Sequence, residues 1–190
     1  MSLLFNSGIN VYHFGGDGPF SRTLNAAAVV DGGRSGEGQS LVTIADTSTD
    51  VNVGDFIYIE STDNYDGLHK IFKQAAGSFD IQAKFVAETL ANTDDILVTV
   101  TEDEKWQFVG FHLVATTSPA TSEDLSVDVD ADRGASWDDN LYTKDMDTID
   151  NIIYYPDKPV LLEANDLVEF TYANTNTVTW GLKVLTAKLV

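Results

Sequence analysis

The sequence predicts an all-β protein with little helix. It divides into an N-terminal extended arm (residues 1–37), a small β-barrel-like module (38–102) and an antiparallel β-sandwich or jelly roll (103–190). Three observations carry this. Apolar and polar residues alternate with period two through short segments. Turn-forming Gly, Asn and Asp recur between these segments about every ten residues. No segment sustains a 3.6-residue apolar period. The 14 Gly against 4 Pro suit many tight turns.

The elements follow in chain order. Ile9 to Phe14 alternates weakly and reads as a strand before the turn cluster Gly15–Pro19, with a second glycine-rich stretch from Asp31 to Gly38. An arm so heavily punctuated buries little surface alone, so it is expected to pack on its own domain or a neighbouring subunit. Leu41–Ala45, Phe56–Glu60, Leu68–Phe72, Phe79–Phe85 and Ile96–Thr101 are five short strands, whose spacing implies a small barrel or a curled sheet. The alternation predicts Phe79, Ile81, Ala83 and Phe85 in a core and Asp80, Gln82 and Lys84 in water. Asp66-Gly67 suits a turn with positive φ.

Glu102-Asp103-Glu104-Lys105 marks a boundary. Beyond it, Trp106–Ala115 is apolar on both faces, as a central strand would be. Leu125–Asp130, Leu141–Thr143, Ile152–Tyr155 and Val160–Leu162 follow. Val168, Phe170 and Tyr172 then share one face, as do Val178, Trp180, Leu182 and Val184.

Thirty acids against eleven bases give a formal net charge of −19, spread along the whole chain. Such a charge repels phosphate backbones and anionic headgroups, so neither a nucleic acid nor a membrane is an expected partner. It favours solubility, a cation shell or a basic partner. The chain has no Cys, which excludes disulfides and thiolate metal sites. The first residues carry neither a basic segment nor a long apolar one, so no signal peptide is expected.

No catalytic motif is found, and no catalytic or cofactor-binding residue is assigned. His13, His69 and His112 lack partners at metal-ligand spacing, and His112 reads as a packed or hydrogen-bonded core histidine. Gly33–Gly38 lacks the lysine of a phosphate loop. Asp128, Asp130 and Asp132 fall at i, i+2 and i+4, as in the first half of a calcium loop. However, Arg133 stands where that loop needs Gly and Asp139 where it needs Glu. A strand with Val127 and Val129 inward and Asp128 and Asp130 outward explains the same spacing. Tyr65, Trp137, Tyr142, Tyr154 and Tyr155 lie in or near expected loops, where a sugar platform or a subunit interface would place aromatics.

Two stretches resemble structural proteins of tailed bacteriophages. Val53-Gly54-Asp55-Phe56-Ile57 with Asn64–Ile71 is similar to small β-barrel modules that read "GD-x-I … Y-[DN]-G-x-[HY]-x-[IV]". From Asp132 to Leu182, the segments Gly134–Asp138, Tyr155–Val160, Phe170–Asn174 and Thr179–Leu182 resemble virion-associated proteins with a "P-D-x-P-[IV]-x-L" step and a "[YW]-A-N … [TR]-[WY]-G-L" ending. The resemblance covers a little over half the chain and transfers no functional residue. It implies a non-enzymatic virion component assembled in the host cytoplasm; the arm, the two β units and the acidic surface make a head decoration (cement) protein the first expectation. Its expected partners are copies of itself, as a trimer or other closed ring, and the major capsid protein. A tail, collar or baseplate part, or a calcium- or carbohydrate-binding adhesion module, are the alternatives. Phe5, Tyr12, Phe14 and Phe20 are the expected contacts of an arm docking on a neighbour. Removal of residues 2–20 is then expected to weaken assembly while both β units stay folded.

Overall fold

Period-two alternation becomes strand throughout. The structure, a computed structural model, describes residues 6–16, 20, 22–23, 27–45, 52–59, 62–90, 93–99 and 105–189. Among these there is no helix, and therefore none long and apolar enough to cross a membrane. The first half carries β1 (Asn6–Gly16), β2 (Arg22–Thr23), β3 (Ala27–Ala28), β4 (Val30–Arg34), β5 (Ser40–Ala45), β6 (Phe56–Ile59), β7 (Gly67–Ala75), β8 (Ser78–Gln82), β9 (Thr89–Leu90) and β10 (Thr93–Thr99). The second half carries β11 (Lys105–Ala115), β12 (Asp124–Asp130), β13 (Asp139–Asp145), β14 (Asn151–Tyr154), β15 (Val160–Leu162), β16 (Leu167–Thr171) and β17 (Trp180–Leu189).

All pairings are antiparallel. Five strands form one sheet in the order β1-β17-β11-β14, with β15 pairing β11 beside β14. A ten-stranded sheet runs β13-β12-β16-β10-β6-β7-β8-β5-β4, with β2 on β10. The arrangement is sandwich-like. Phe108, Phe111, Leu113 and Val184 of the five-stranded sheet share a core with Val127, Val129, Val168 and Phe170 of the other. Aromatic rings dominate this core, with Phe111 edge-on to both Phe170 and Tyr142. A second, mostly aliphatic core holds Val42, Ile44, Ile57, Ile59, Ile71 and Ile81 around Tyr65 and Phe79.

Several expectations are corrected. The small module is not a closed barrel: β6, β7, β8, β5 and β4 continue the open ten-stranded sheet. Apart from Phe14 and Phe20, the buried residues of the large core lie beyond residue 102 and those of the small core before it, but residues 1–37 are shared between the two. Phe14 and Phe20 belong to the large core, while Val29 belongs to the small one. Of the two expectations for the arm, packing on its own domain is the one the structure shows, as an integral edge strand: β1 pairs β17 from Asn6↔Leu189 to Gly16↔Trp180. Tyr12 stacks on Trp106, and Phe20 packs on Trp180 at 4.3 Å while its amide donates to the Tyr172 carbonyl. Removing residues 2–20 would therefore strip a strand and two buried phenylalanines from the large core, so both units would not stay intact. Phe5 lies outside the described residues, as do Glu102, Asp103 and Glu104.

Two smaller differences have local causes. Asp80, expected in water, is buried on β8 between its neighbours: it accepts from the Thr43 hydroxyl at 2.6 Å and lies 3.4 Å from the Lys73 ammonium. The β8 ladder stops at Gln82, which leaves Phe85 exposed. The glycine-rich stretch around Gly33 and Gly38 is the bulged β4–β5 hairpin, closed by Arg34 donating to the Gly38 carbonyl.

Candidate interaction surface

The two sheets differ sharply in charge. The strands β4, β8, β10, β12, β13 and β16 of the ten-stranded sheet hold Asp31, Asp80, Asp94, Asp95, Asp124, Asp128, Asp130, Asp139, Asp145 and Glu169. The five strands β1, β11, β14, β15 and β17 hold no Asp or Glu at all, and they carry Lys105, Lys183, Lys188, His13 and His112. In a chain with 30 acids this is a neutral-to-basic island.

Strand alternation sends one half of these side chains into the large core and the other half outward. The ladder registers set the outward half in rows. His13, Lys183, His112 and Ile153 line up across four strands. Ile9, Ala187, Gln107 and Leu161 form a second row, in which Ala187 is buried and Gln107 half-buried. Gly15, Gly181, Val114 and Asn151 form a third. Six large apolar side chains on this side, Ile9, Val11, Val114, Ile153, Tyr155 and Leu161, are each 42–60% exposed. Trp106–Ala115 is thus a central strand with apolar residues on both sides, as its sequence suggests; its core side is buried, while on the other side Val114 is exposed and Gln107 and His112 are half-buried. An exposed apolar patch of this kind marks a contact surface more often than an accident of composition.

Gly110 sets the shape of the face. Its φ is +151°, and β11 bulges there, between Phe108 and Gly110. A Cβ at this position would collide with the Tyr154 carbonyl oxygen and come within 2.8 Å of the Tyr155 ring. Only glycine lets the chain pass from β14 toward β15 and lay Tyr155 over β11. Near β1, a shallow groove of roughly 300 Å³ is lined by His13, His112, Val114 and Lys183, with Asn52 and Asp55 at its rim. His112 Nε2 lies 3.2 Å from the Asn151 Oδ1 on the same face. It is thus a hydrogen-bonded surface histidine rather than a core one.

The other expected sites resolve differently. Asp128 accepts from the Asn140 amide at 2.7 Å, and Asp132 offers its backbone N–H to Asp166. Among the described residues no three His, Cys, Asp or Glu side chains converge as a metal would require, so Asp128, Asp130 and Asp132 are not brought together as a calcium loop. The carboxylates here tie down backbone: buried Asp166 accepts from the amides of Asp132 and Glu163, and Asp138 from that of Ala131. Of the five aromatics, Tyr65 is buried, its hydroxyl donating to the Val86 carbonyl and accepting from the Val86 amide. Tyr142 and Tyr154 pack against each other and Phe111. Burial pushes the Tyr154 hydroxyl pKa up, with Asp157 and Asp139 adding to it. Only Trp137 and Tyr155 are open to solvent, and the Arg133 guanidinium sits 5.9 Å from the Trp137 ring centre.

The fold and this surface define an all-β, sandwich-like protein with one acidic sheet and one carboxylate-free sheet. No known protein family, curated protein or solved structure matches the chain.

Proposed function

We propose that this chain is a non-enzymatic structural component of a tailed-phage particle, acting as a head decoration protein that binds the capsid surface through its five-stranded sheet. The observation that carries the reading is the outward face of that sheet, with six exposed apolar side chains and no carboxylate on any of its strands. Such a face associates by burying apolar area, while the acidic remainder of the molecule keeps it soluble and turned away from DNA. The resemblance of residues 53–71 and 132–182 to virion proteins supplies the particle.

The test is quantitative mass spectrometry of purified particles from the source of this chain. A copy number comparable to the major capsid protein supports a decoration protein. A few copies would move the chain to the tail, collar or baseplate, and absence would remove the particle altogether. A second arm uses the double variant Ile153→Asp and Leu161→Asp, both at exposed positions. It is expected to fold as the parent and to lose at least tenfold in capsid affinity, a difference of about 1.4 kcal/mol.

A further inference from the structure

We infer that the open groove around Trp137 is a carbohydrate-binding site, which takes a neutral sugar ring against the indole. The groove, of roughly 460 Å³, lies where the β12–β13 loop meets β15 and the turn before β16. That is within the size range of ordinary small-ligand clefts. Trp137 is 63% exposed, whereas the other two tryptophans, Trp106 and Trp180, are buried. A large apolar ring is thus left in water at a place where a ligand would cover it.

The ring is held in place before any ligand arrives. Two successive turns shape its loop, the Gly134 amide donating to the Ala131 carbonyl and the Trp137 amide to the Gly134 carbonyl. Asp138 closes the loop by accepting from the Ala131 amide. Buried Asp166 ties this loop to the next: one carboxylate oxygen accepts from the Asp132 amide at 3.2 Å, the other from the Glu163 amide at 2.8 Å. Arg133 spans the same gap, paired with the Glu163 carboxylate and with its guanidinium 5.9 Å from the indole centre. A site fixed in this way loses little entropy when it binds.

The polar groups left over select the ligand. Among the described residues, the Lys158 ammonium and the Asp139 carboxylate on this groove have neither a hydrogen-bond nor an ion-pair partner. An anionic ligand would meet Asp139, Glu163 and the −19 of the whole chain, and a cation would meet Lys158 and Arg133. A wholly apolar ligand would take water from both free charges and return nothing. The ligand that fits is uncharged, has a flat apolar side for the indole, and carries groups that both donate and accept. A pyranose ring meets all three conditions, since its C–H face lies against an aromatic ring and every hydroxyl donates and accepts. An extended peptide fits less well: it is recognised along a sheet edge or by an aromatic-lined groove, and Trp137 is the one aromatic residue lining this groove among the described residues. The inference is independent of the particle reading: a chain that binds sugar but is absent from particles fails only the earlier proposal, and a particle protein that binds no sugar fails only this one.

The full chain is applied to an array of neutral oligosaccharides of the glucose, galactose, mannose and N-acetylhexosamine series, beside sialylated and sulfated ones. At least one neutral series should be retained. Because Trp106 and Trp180 are buried, acrylamide quenching of fluorescence reads chiefly Trp137, and the free oligosaccharide of the retained series should shield it. Trp137→Ala should lower the affinity about tenfold and Asp139→Asn by less, both with an unchanged melting temperature. Retention of no neutral series overturns the inference, as does retention of sialylated or sulfated glycans alone. Binding that is unchanged in both variants and leaves Trp137 open to acrylamide overturns it too. A proline-rich peptide that shields Trp137 where no sugar does would assign the groove to a peptide instead.

Discussion

The two sheets share a core and obey the same alternation, yet they meet water differently. On the ten-stranded sheet the strands carry ten carboxylates, among them Asp128 and Asp130 flanking the buried Val129. On the five-stranded sheet the exposed positions include Val11, His13, Val114 and Ile153. Burying one half of a strand's side chains fixes the fold but leaves the other half free for selection by a different surface. The difference teaches that the inner pattern reports folding and the outer pattern reports what the sheet touches.

The comparison breaks most severely at Gly110. Placing a Cβ there strains a positive φ and forces β14 away from β11. Gly110→Ala is therefore expected to cost about 3–6 kcal/mol and to lower the melting temperature sharply. A calorimetric scan checks it, and an unchanged transition would mean that the bulge is not rigid.

A subtler difference lies inside the five-stranded sheet. Thr186, fully buried opposite Phe108, has a hydroxyl with no hydrogen-bond partner among the described residues. Thr186→Val removes the orphaned group while keeping the β-branched shape, and should stabilise the protein by about 1–2 kcal/mol in urea titration. A loss of stability would reveal a partner for that hydroxyl.

The smallest effect belongs to the ten-stranded sheet. Burial lowers the pKa of His69 on β7 below the ordinary 6.5, against the opposing influence of its bond to the Tyr65 carbonyl and of Asp66. As pH falls below that ordinary value, the unfolded chain takes up the proton more readily than the folded one. His69 therefore contributes stability that is present above the unfolded value and is lost as pH falls through the folded one. Denaturation midpoints at pH 8 and pH 5 should differ more in the parent than in His69→Gln. Equal differences would show that this histidine does not carry the dependence.

Nearly every long strand was legible, because period two survives in short segments such as Val168, Phe170 and Tyr172. The partner of β1 was not. Its mate lies about 170 residues away in sequence, and the pairing Tyr12↔Val184 leaves no local signal. Asp80 was misplaced for a related reason: Thr43 and Lys73 come from flanking strands, and alternation says nothing of them. The absence of acid from the five strands was in the sequence throughout. It became a surface only when the topology joined segments scattered from Asn6 to Leu189.

The register that opposes Asn6 to Leu189 also has a mechanical consequence. Both described ends of the chain emerge at one corner, on neighbouring strands. Tension applied between them would load the β1–β17 ladder one bond at a time, as a zip opens, instead of shearing all its bonds together. Anchors attached at those two ends would therefore peel the edge strand at low force, whereas a pull from mid-chain loops would engage whole ladders.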